Sequence, residues 1–450
     1  MAYLKRKRNA SYKDIPDCLW RKIGVQLHRN DLLGFVLTCK KFKKIHEDLY
    51  TSRRGNLSID LKLYLNKGVP VSPDFLKWTY LFIKKGDAMP SCYCRVMHAS
   101  IAAYHGYIDL LRWLKSQICQ ESCWSQDTYV HAARGGHLDV LLWLKEQEIC
   151  TDSLALGSER ICHAAASGGH LDILKWLKSQ GCQWDQNTCT SAAKGNFLPL
   201  LKWAVSEGCP WDVETCNVAA ERGYFEMLQW AVSQGCPFDS TTCAAAALGG
   251  NFEILKWLRS KGCPWDELTC CGAAEGGHLR ILQWASKEGC PWNSKTMTYA
   301  SAGGHREVLH WLRSQGCQWT GLCSTEAASR GDLELLKWFV SQGCPVTELT
   351  THAAAEGGHL FVLEWLNAEG CPFNQVTCYY AAQGGHLHVL KWLRSQGCPW
   401  DEDTCAGAAS RGQLDVLKWL RSQGCPGSDR FFKWVDTRSE SRGAQQGREI

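Results

Sequence analysis

Two residue types recur in this chain in patterns that could carry chemistry. There are 26 cysteines and 15 histidines in 450 residues, and most stand at fixed register. One series of cysteines follows a glycine: Cys182, Cys209, Cys236, Cys263, Cys290, Cys317, Cys344, Cys371, Cys398 and Cys425. A second follows a threonine: Cys189, Cys216, Cys243, Cys270, Cys378 and Cys405. Cysteines can form disulfides, hold zinc or act as nucleophiles, but each use needs sulfurs or partners that converge. Equivalent positions of stacked helices lie about 8 to 10 Å apart, beyond the roughly 7 Å that a disulfide allows between α-carbons, so disulfides along one ladder are excluded. Zinc draws on four ligands, commonly from cysteines about two to four residues apart. Here the step from one series to the next is seven residues, and Met297, Ser324 and Thr351 replace the second cysteine freely. Packing is therefore the expected role, and the same holds for the close pair Cys92 and Cys94.

The histidines give a similar answer. His137, His170, His278, His305, His359 and His386 occupy equivalent places. Six copies supply no unique catalytic base, whereas a repeated His after Gly suits a structural hydrogen bond between neighbouring loops. The sequence contains no G-x-S-x-G, no phosphate-binding loop and no H-E-x-x-H. An enzyme is not expected, and neither is a cofactor or a bound metal.

The elements that place these residues follow from a period. Trp176, Trp203, Trp230, Trp257, Trp284, Trp311, Trp338, Trp365, Trp392 and Trp419 are each 27 residues apart, with Trp113 and Trp143 preceding them at looser spacing. One unit reads T-C-A-G-A-A-S-R-G-Q-L-D-V-L-K-W-L-R-S-Q-G-C-P. Thr404 is placed to cap a first helix whose small residues Cys405, Ala408, Ala409 and Gly412 share one face. Gly412 ends that helix in the left-handed conformation, a slot where Asn196 is the one departure within the 27-residue series. A second helix carries Leu414, Val416, Leu417, Trp419 and Leu420, and Trp257 and its equivalents are expected to be buried between repeats.

The segment from Gly169 to Asp185, with the A-A-x-x-G-H motif leading into it, resembles the second helix and exit of an ankyrin repeat. The resemblance recurs about twelve times over residues 92–425. It implies an all-α, ankyrin-like helical-repeat solenoid of about 12 helix–turn–helix units with a small N-terminal helical module. An ankyrin repeat has about 33 residues; the deficit here falls where its β-hairpin finger would be. Short units rich in Trp and Cys resemble those abundant in protists and large DNA viruses. With the finger missing, the exposed side of the first helix becomes the expected reader of a protein target on the concave face. With the ladder cysteine counted as the first position, helical geometry puts the third and sixth opposite the core, which selects Val218, Tyr299, Glu326 and Tyr380 at the third, and Glu221 and Leu248 at the sixth.

Residues 15–50 break the period. Their order resembles an F-box: Ile15-Pro16 opens it, Leu19, Ile23 and Leu27 share a helix face, Asp31-Leu32 begins a second helix, and Val36 to Phe42 closes it. Cys18 and Gly24 depart from the usual pattern. The resemblance implies that Pro16, Leu19, Ile23, Leu27, Leu32 and Phe42 serve a Skp1-like adaptor of a cullin ubiquitin ligase while the repeats hold the protein to be modified; a plain capping module for a sequestering or bridging scaffold is the alternative. Residues 1–14 read as a basic tail, 51–91 as a degenerate first repeat or linker, and 426–450 as a disordered tail.

Composition narrows the setting. At 45% hydrophobic and 21% charged the chain can bury a large core, and no apolar run is long enough to span a membrane. Without a secretory h-region, a cytoplasmic location is expected, or a nuclear one through Lys5-Arg6-Lys7-Arg8. The net charge of +5 is small for this length and speaks against nucleic acid as partner. A monomer is expected.

Overall fold

The computed structural model describes residues 92–117, 124–147 and 158–427, with isolated positions at 73, 76, 77, 80 and 431. The F-box-like residues Pro16, Leu19, Ile23, Leu27, Leu32 and Phe42 lie outside the described residues, as do most of 51–91 and nearly all of the tail after 427. The described residues form 24 α-helices and no strand. They fall into two compact units, divided after Trp184, each a run of helix–turn–helix repeats. The fold is a helical-repeat solenoid.

The last repeat shows why the chain folds this way. Its first helix, Glu402–Ser410, is capped by Asp401, and Thr404 stands three residues inside the cap. The Thr404 N–H donates to the Asp401 carboxylate at 3.3 Å, and the Asp401 N–H donates to the Thr404 hydroxyl at 3.4 Å. This reciprocal box satisfies two backbone donors that a helix start leaves orphaned. It corrects the assignment of Thr404 as the cap, since Thr404 is itself buried. Gly412 then turns the chain at φ 68°, and the second helix runs Leu414–Ser422. At the equivalent turn Asn196 takes φ 60°, the non-glycine residue best suited to the left-handed region.

The core is built from short aliphatic side chains. In the repeat beginning at Asp239, Cys243, Ala246 and Ala247 of the first helix (Ser240–Leu248) are buried against Ile254, Leu255 and Leu258 of the second (Phe252–Ser260). Small first-helix residues let successive first helices pack directly on one another, as Ser240–Leu248 does on Glu267–Glu275. Second helices hardly meet along the backbone. Aromatic side chains bridge them instead: Trp257 lies 5.6 Å from Phe225 of the preceding repeat, edge to face. Trp257 is half-buried, not enclosed. The other Trp residues of the 27-residue series are likewise half-buried and line the outer edge, while Trp143 before them is buried.

Candidate functional site: the outward face of the first helices

Counting each first helix from its Asp, Asn or Thr cap changes which residues face outward. The second helical position is exposed, and four repeats place an apolar residue there: Leu268, Leu322, Leu349 and Val376. Three of these come from successive repeats, with Leu322 49% exposed, Leu349 52% and Val376 38%. Tyr299, one turn further along its own helix, is also 38% exposed. Val376, Tyr379, Asp401 and Asp403 line a shallow depression between two of these repeats.

The residues selected from sequence divide on this frame. Tyr299 and Glu221 are exposed, while Leu248, Glu326 and Tyr380 are half-buried. Val218 is 5% exposed and belongs to the interior, which removes it as a partner contact. The reason is visible at its equivalents. A β-carbon on Gly272 would meet the Ala244 carbonyl at 2.6 Å, and one on Gly407 would meet the Tyr379 carbonyl at 2.9 Å. The third position therefore looks at the preceding first helix, not straight outward. Tyr380 shows the same geometry, its ring stacked on His352 of the preceding repeat at 5.4 Å.

Polar side chains pin this face from repeat to repeat. The position after the ladder cysteine reaches the next repeat's cap: Asn217 Nδ2 donates to Thr241 Oγ1 at 3.0 Å, Thr242 Oγ1 donates to Asn217 Oδ1 at 2.7 Å, and His352 Nε2 pairs with Asn374 Oδ1 at 3.2 Å. The histidine ladder does the same work at the other end of the helix. His305 Nε2 meets the Glu275 carbonyl at 2.8 Å, and His359 and His386 each meet the carbonyl 30 residues earlier, of Ser329 and Glu356, at 2.9 Å. Asn251 fills the equivalent place with two bonds of 2.7 Å to the Ala220 and Glu221 carbonyls. These are the inter-loop bonds that the Gly-His pattern implies.

The cysteines form relays that neither ladder alone reveals. Cys378 Sγ donates to Cys398 Sγ at 3.5 Å, and Cys398 Sγ donates to the Asn374 carbonyl at 3.3 Å. Thiols thus tie the exit of a repeat to its own cap, and Cys209, Cys236, Cys263, Cys290 and Cys425 reach the equivalent carbonyls. The hydrogen bond polarises each pair. It pushes the Cys378 thiol up, aided by burial, and draws Cys398 down, with Arg394 assisting. Cys243 and Cys263 behave alike. Where Ser324 takes the ladder position, Cys323 reaches Cys344 instead, with the polarity reversed: the bond to Cys344 draws Cys323 down to about 5. Among the described residues no group of three or more His, Cys, Asp or Glu side chains is placed to hold a metal ion.

Charge separates the two layers. The nine first helices between Asp185 and Arg411, with their caps, carry 14 acidic and 5 basic residues. The second helices that follow them, each taken to its exit cysteine, carry 10 acidic and 13 basic. Several of these cations are fixed. Arg394 lies 4.0 Å over the Trp400 ring and donates to the Cys398 carbonyl at 2.6 Å. Arg394 is therefore structural rather than freely solvated.

No family model matches the chain, and no curated protein matches it. Among solved structures it is similar to the pentatricopeptide repeat protein PPR10 from maize, at 14% identity over 89% of this chain and 69% of that one, with a TM-score of 0.32. It is also similar to PPR10 in complex with an 18-nt psaJ RNA element, at 12% identity over 91% and 69%, with a TM-score of 0.34. Likeness at this level assigns no ligand. The expectation that a small net charge argues against nucleic acid is withdrawn on the distribution of charge itself. Net charge is a whole-chain sum and conceals the separation of charge just described. No described helix is long and apolar enough to cross a membrane.

Proposed function

We propose that this repeat-based binding scaffold works without catalysis and holds a protein segment across the outward face of its first helices between residues 294 and 410. One observation carries the reading: Leu322, Leu349 and Val376 expose the same apolar position in three successive repeats. Apolar side chains repeated at one register mark a contact surface, whereas the exposed Leu142, Phe361 and Leu414 stand singly on second helices, and neighbouring Tyr299 and Tyr380 are residues that anchor interfaces. The acidic excess of this layer selects a segment that is itself basic beside its apolar side chains.

Proximity labelling with the full chain identifies the partner. Changing Leu322, Leu349 and Val376 together to Ser should then weaken capture more than about tenfold, roughly 1.4 kcal/mol, with helix content unchanged. Replacing Tyr299, Glu326 and Tyr380 with Ala should act in the same direction. The control replaces Lys391 and Lys418 on the second helices. Loss of the partner in the control alone means that the other face is the reader, and capture of nucleic acid with a steep salt dependence removes the protein reading altogether.

The repeats are read as shortened ankyrin-like units, which the strandless passage from Cys398 to Asp401 supports. The residue order of 15–50 supports a further role as a substrate receptor that docks to a Skp1-like adaptor of a cullin ubiquitin ligase in the cytoplasm. Deleting residues 1–50 should abolish copurification with such an adaptor and leave the repeats folded. An intact chain that never binds one is a sequestering or bridging scaffold.

A further inference from the structure

The paired thiols have a chemistry that packing alone does not need. Cys378 and Cys398 lie 20 residues apart with their sulfurs 3.5 Å apart. The same spacing and the same thiol contact recur at Cys162 and Cys182, Cys189 and Cys209, Cys216 and Cys236, Cys243 and Cys263, Cys270 and Cys290, and Cys405 and Cys425. We infer that these pairs are sites of two-electron oxidation by a hydroperoxide, each closing to a disulfide within its own repeat.

The step balances without other reactants. The exit sulfur, Cys398, attacks the peroxide; its S–O bond forms as the O–O bond breaks, and the hydroxide released takes the thiol proton and leaves as water. Cys378 then attacks that sulfur. The S–S bond forms, the S–O bond breaks, and the second hydroxide leaves as water with the Cys378 proton. Two thiols and one hydroperoxide become one disulfide and two waters when the oxidant is hydrogen peroxide. The geometry orders the roles. Cys398 keeps 4% exposure against 0% for Cys378, and it stands beside the Arg394 guanidinium, which favours a thiolate there. Closing the bond asks the sulfurs to approach by about 1.5 Å.

The chain carries its own negative controls. Met297 and Thr351 replace the helix cysteine in two repeats, which leaves Cys317 and Cys371 without a partner at this spacing. Those repeats stay unlocked when the others close.

The test uses the full-length chain, reduced, freed of reductant, exposed to hydrogen peroxide while folded, then denatured, alkylated with N-ethylmaleimide and digested. The expected products are cross-linked peptides joining Cys378 to Cys398 and Cys243 to Cys263, each lighter by two hydrogens, with Cys317 and Cys371 absent from any such link. The urea midpoint of the oxidised chain rises, because a cross-link restricts the unfolded state. Cys398→Ser removes the first link and leaves the second. Should that variant not fold, Cys378→Thr, the residue the chain itself carries at position 351, gives the same reading. Thiols that all remain alkylatable after peroxide, or disulfides that join cysteines of different repeats, overturn the inference.

Discussion

First and second helices of the same repeat solve opposite problems. A first helix such as Ser240–Leu248 buries only small side chains, Cys243, Ala246 and Ala247, so its backbone comes close to the first helices on either side. A second helix such as Phe252–Ser260 buries Ile254, Leu255 and Leu258 beneath it and is spaced from its neighbours by a half-buried Trp257. The exposed positions of first helices vary from repeat to repeat, while the Trp recurs at every 27th residue from 176 to 419. The difference has a physical cause. Where backbones already touch, exposed side chains are free to change, and where a large ring sets the spacing, it cannot. A variable surface on a fixed frame is what a binding scaffold needs, and the first helices supply it.

The comparison is most sharply tested in the core. Leu255 is fully buried, and Leu255→Ala should cost about 2 to 5 kcal/mol through lost transfer energy and the cavity left behind. Trp257→Ala removes a larger side chain, yet one that is only partly enclosed, and the cost should be smaller. Urea titrations of both variants followed by circular dichroism decide the matter. If the Trp variant proves the weaker of the two, the ring is doing more than spacing the outer edge.

A smaller effect is expected at the caps. Asp239 begins a first helix, accepting from the Thr241 N–H at 2.8 Å and completing a box with Thr242. Asp239→Ala should cost about 1 kcal/mol, while Asp239→Asn, the residue the chain uses at 293 and 374, should cost little. An Asn variant as unstable as the Ala variant would show that charge at the helix start, not the cap bond, matters.

These caps also mark where the sequence stops being legible. The period, the two-helix unit, the left-handed turn at Asn196 and the histidine bonds between loops follow from residue type and spacing alone, because each depends on local geometry. The helix start does not. Thr404 looks like a cap until Asp401 is seen to bond with it, and beginning the helix at Cys405 leaves out its first three residues, Leu349 and Val376 of the neighbouring repeats among their equivalents. Val218 failed as a surface residue for a related reason: a wheel drawn for one helix knows nothing of the helix beside it. The thiol pairs are hidden because each ladder runs along the stack, whereas Cys378 and Cys398 meet across one repeat. A spacing of 20 residues was present in the sequence as the signal that could have found them.

The smallest effect separates the loop bonds from the packing they support. His386 Nε2 meets the Glu356 carbonyl at 2.9 Å, and burial lowers its pKa below the usual 6.5, the bond to Glu356 opposing and His388 and His359 adding to the shift. Proton binding then favours the unfolded chain, where the imidazole titrates normally. The contribution of a neutral His386 is thus present in full above the ordinary value and is lost as pH falls from 6.5 through the folded-state value. His131, lowered chiefly by burial, acts in the same sense. The chain itself suggests the variant, because Asn251 stands at the equivalent place five repeats earlier and bonds the same class of carbonyl without titrating in this range. His386→Asn should match the parent near pH 7, keeping the inter-repeat bond, and should lose less stability on going to about pH 5. Urea midpoints of the two chains at both values measure the difference. Equal losses would mean that the proton is taken up elsewhere and that His386 holds its loop with either charge.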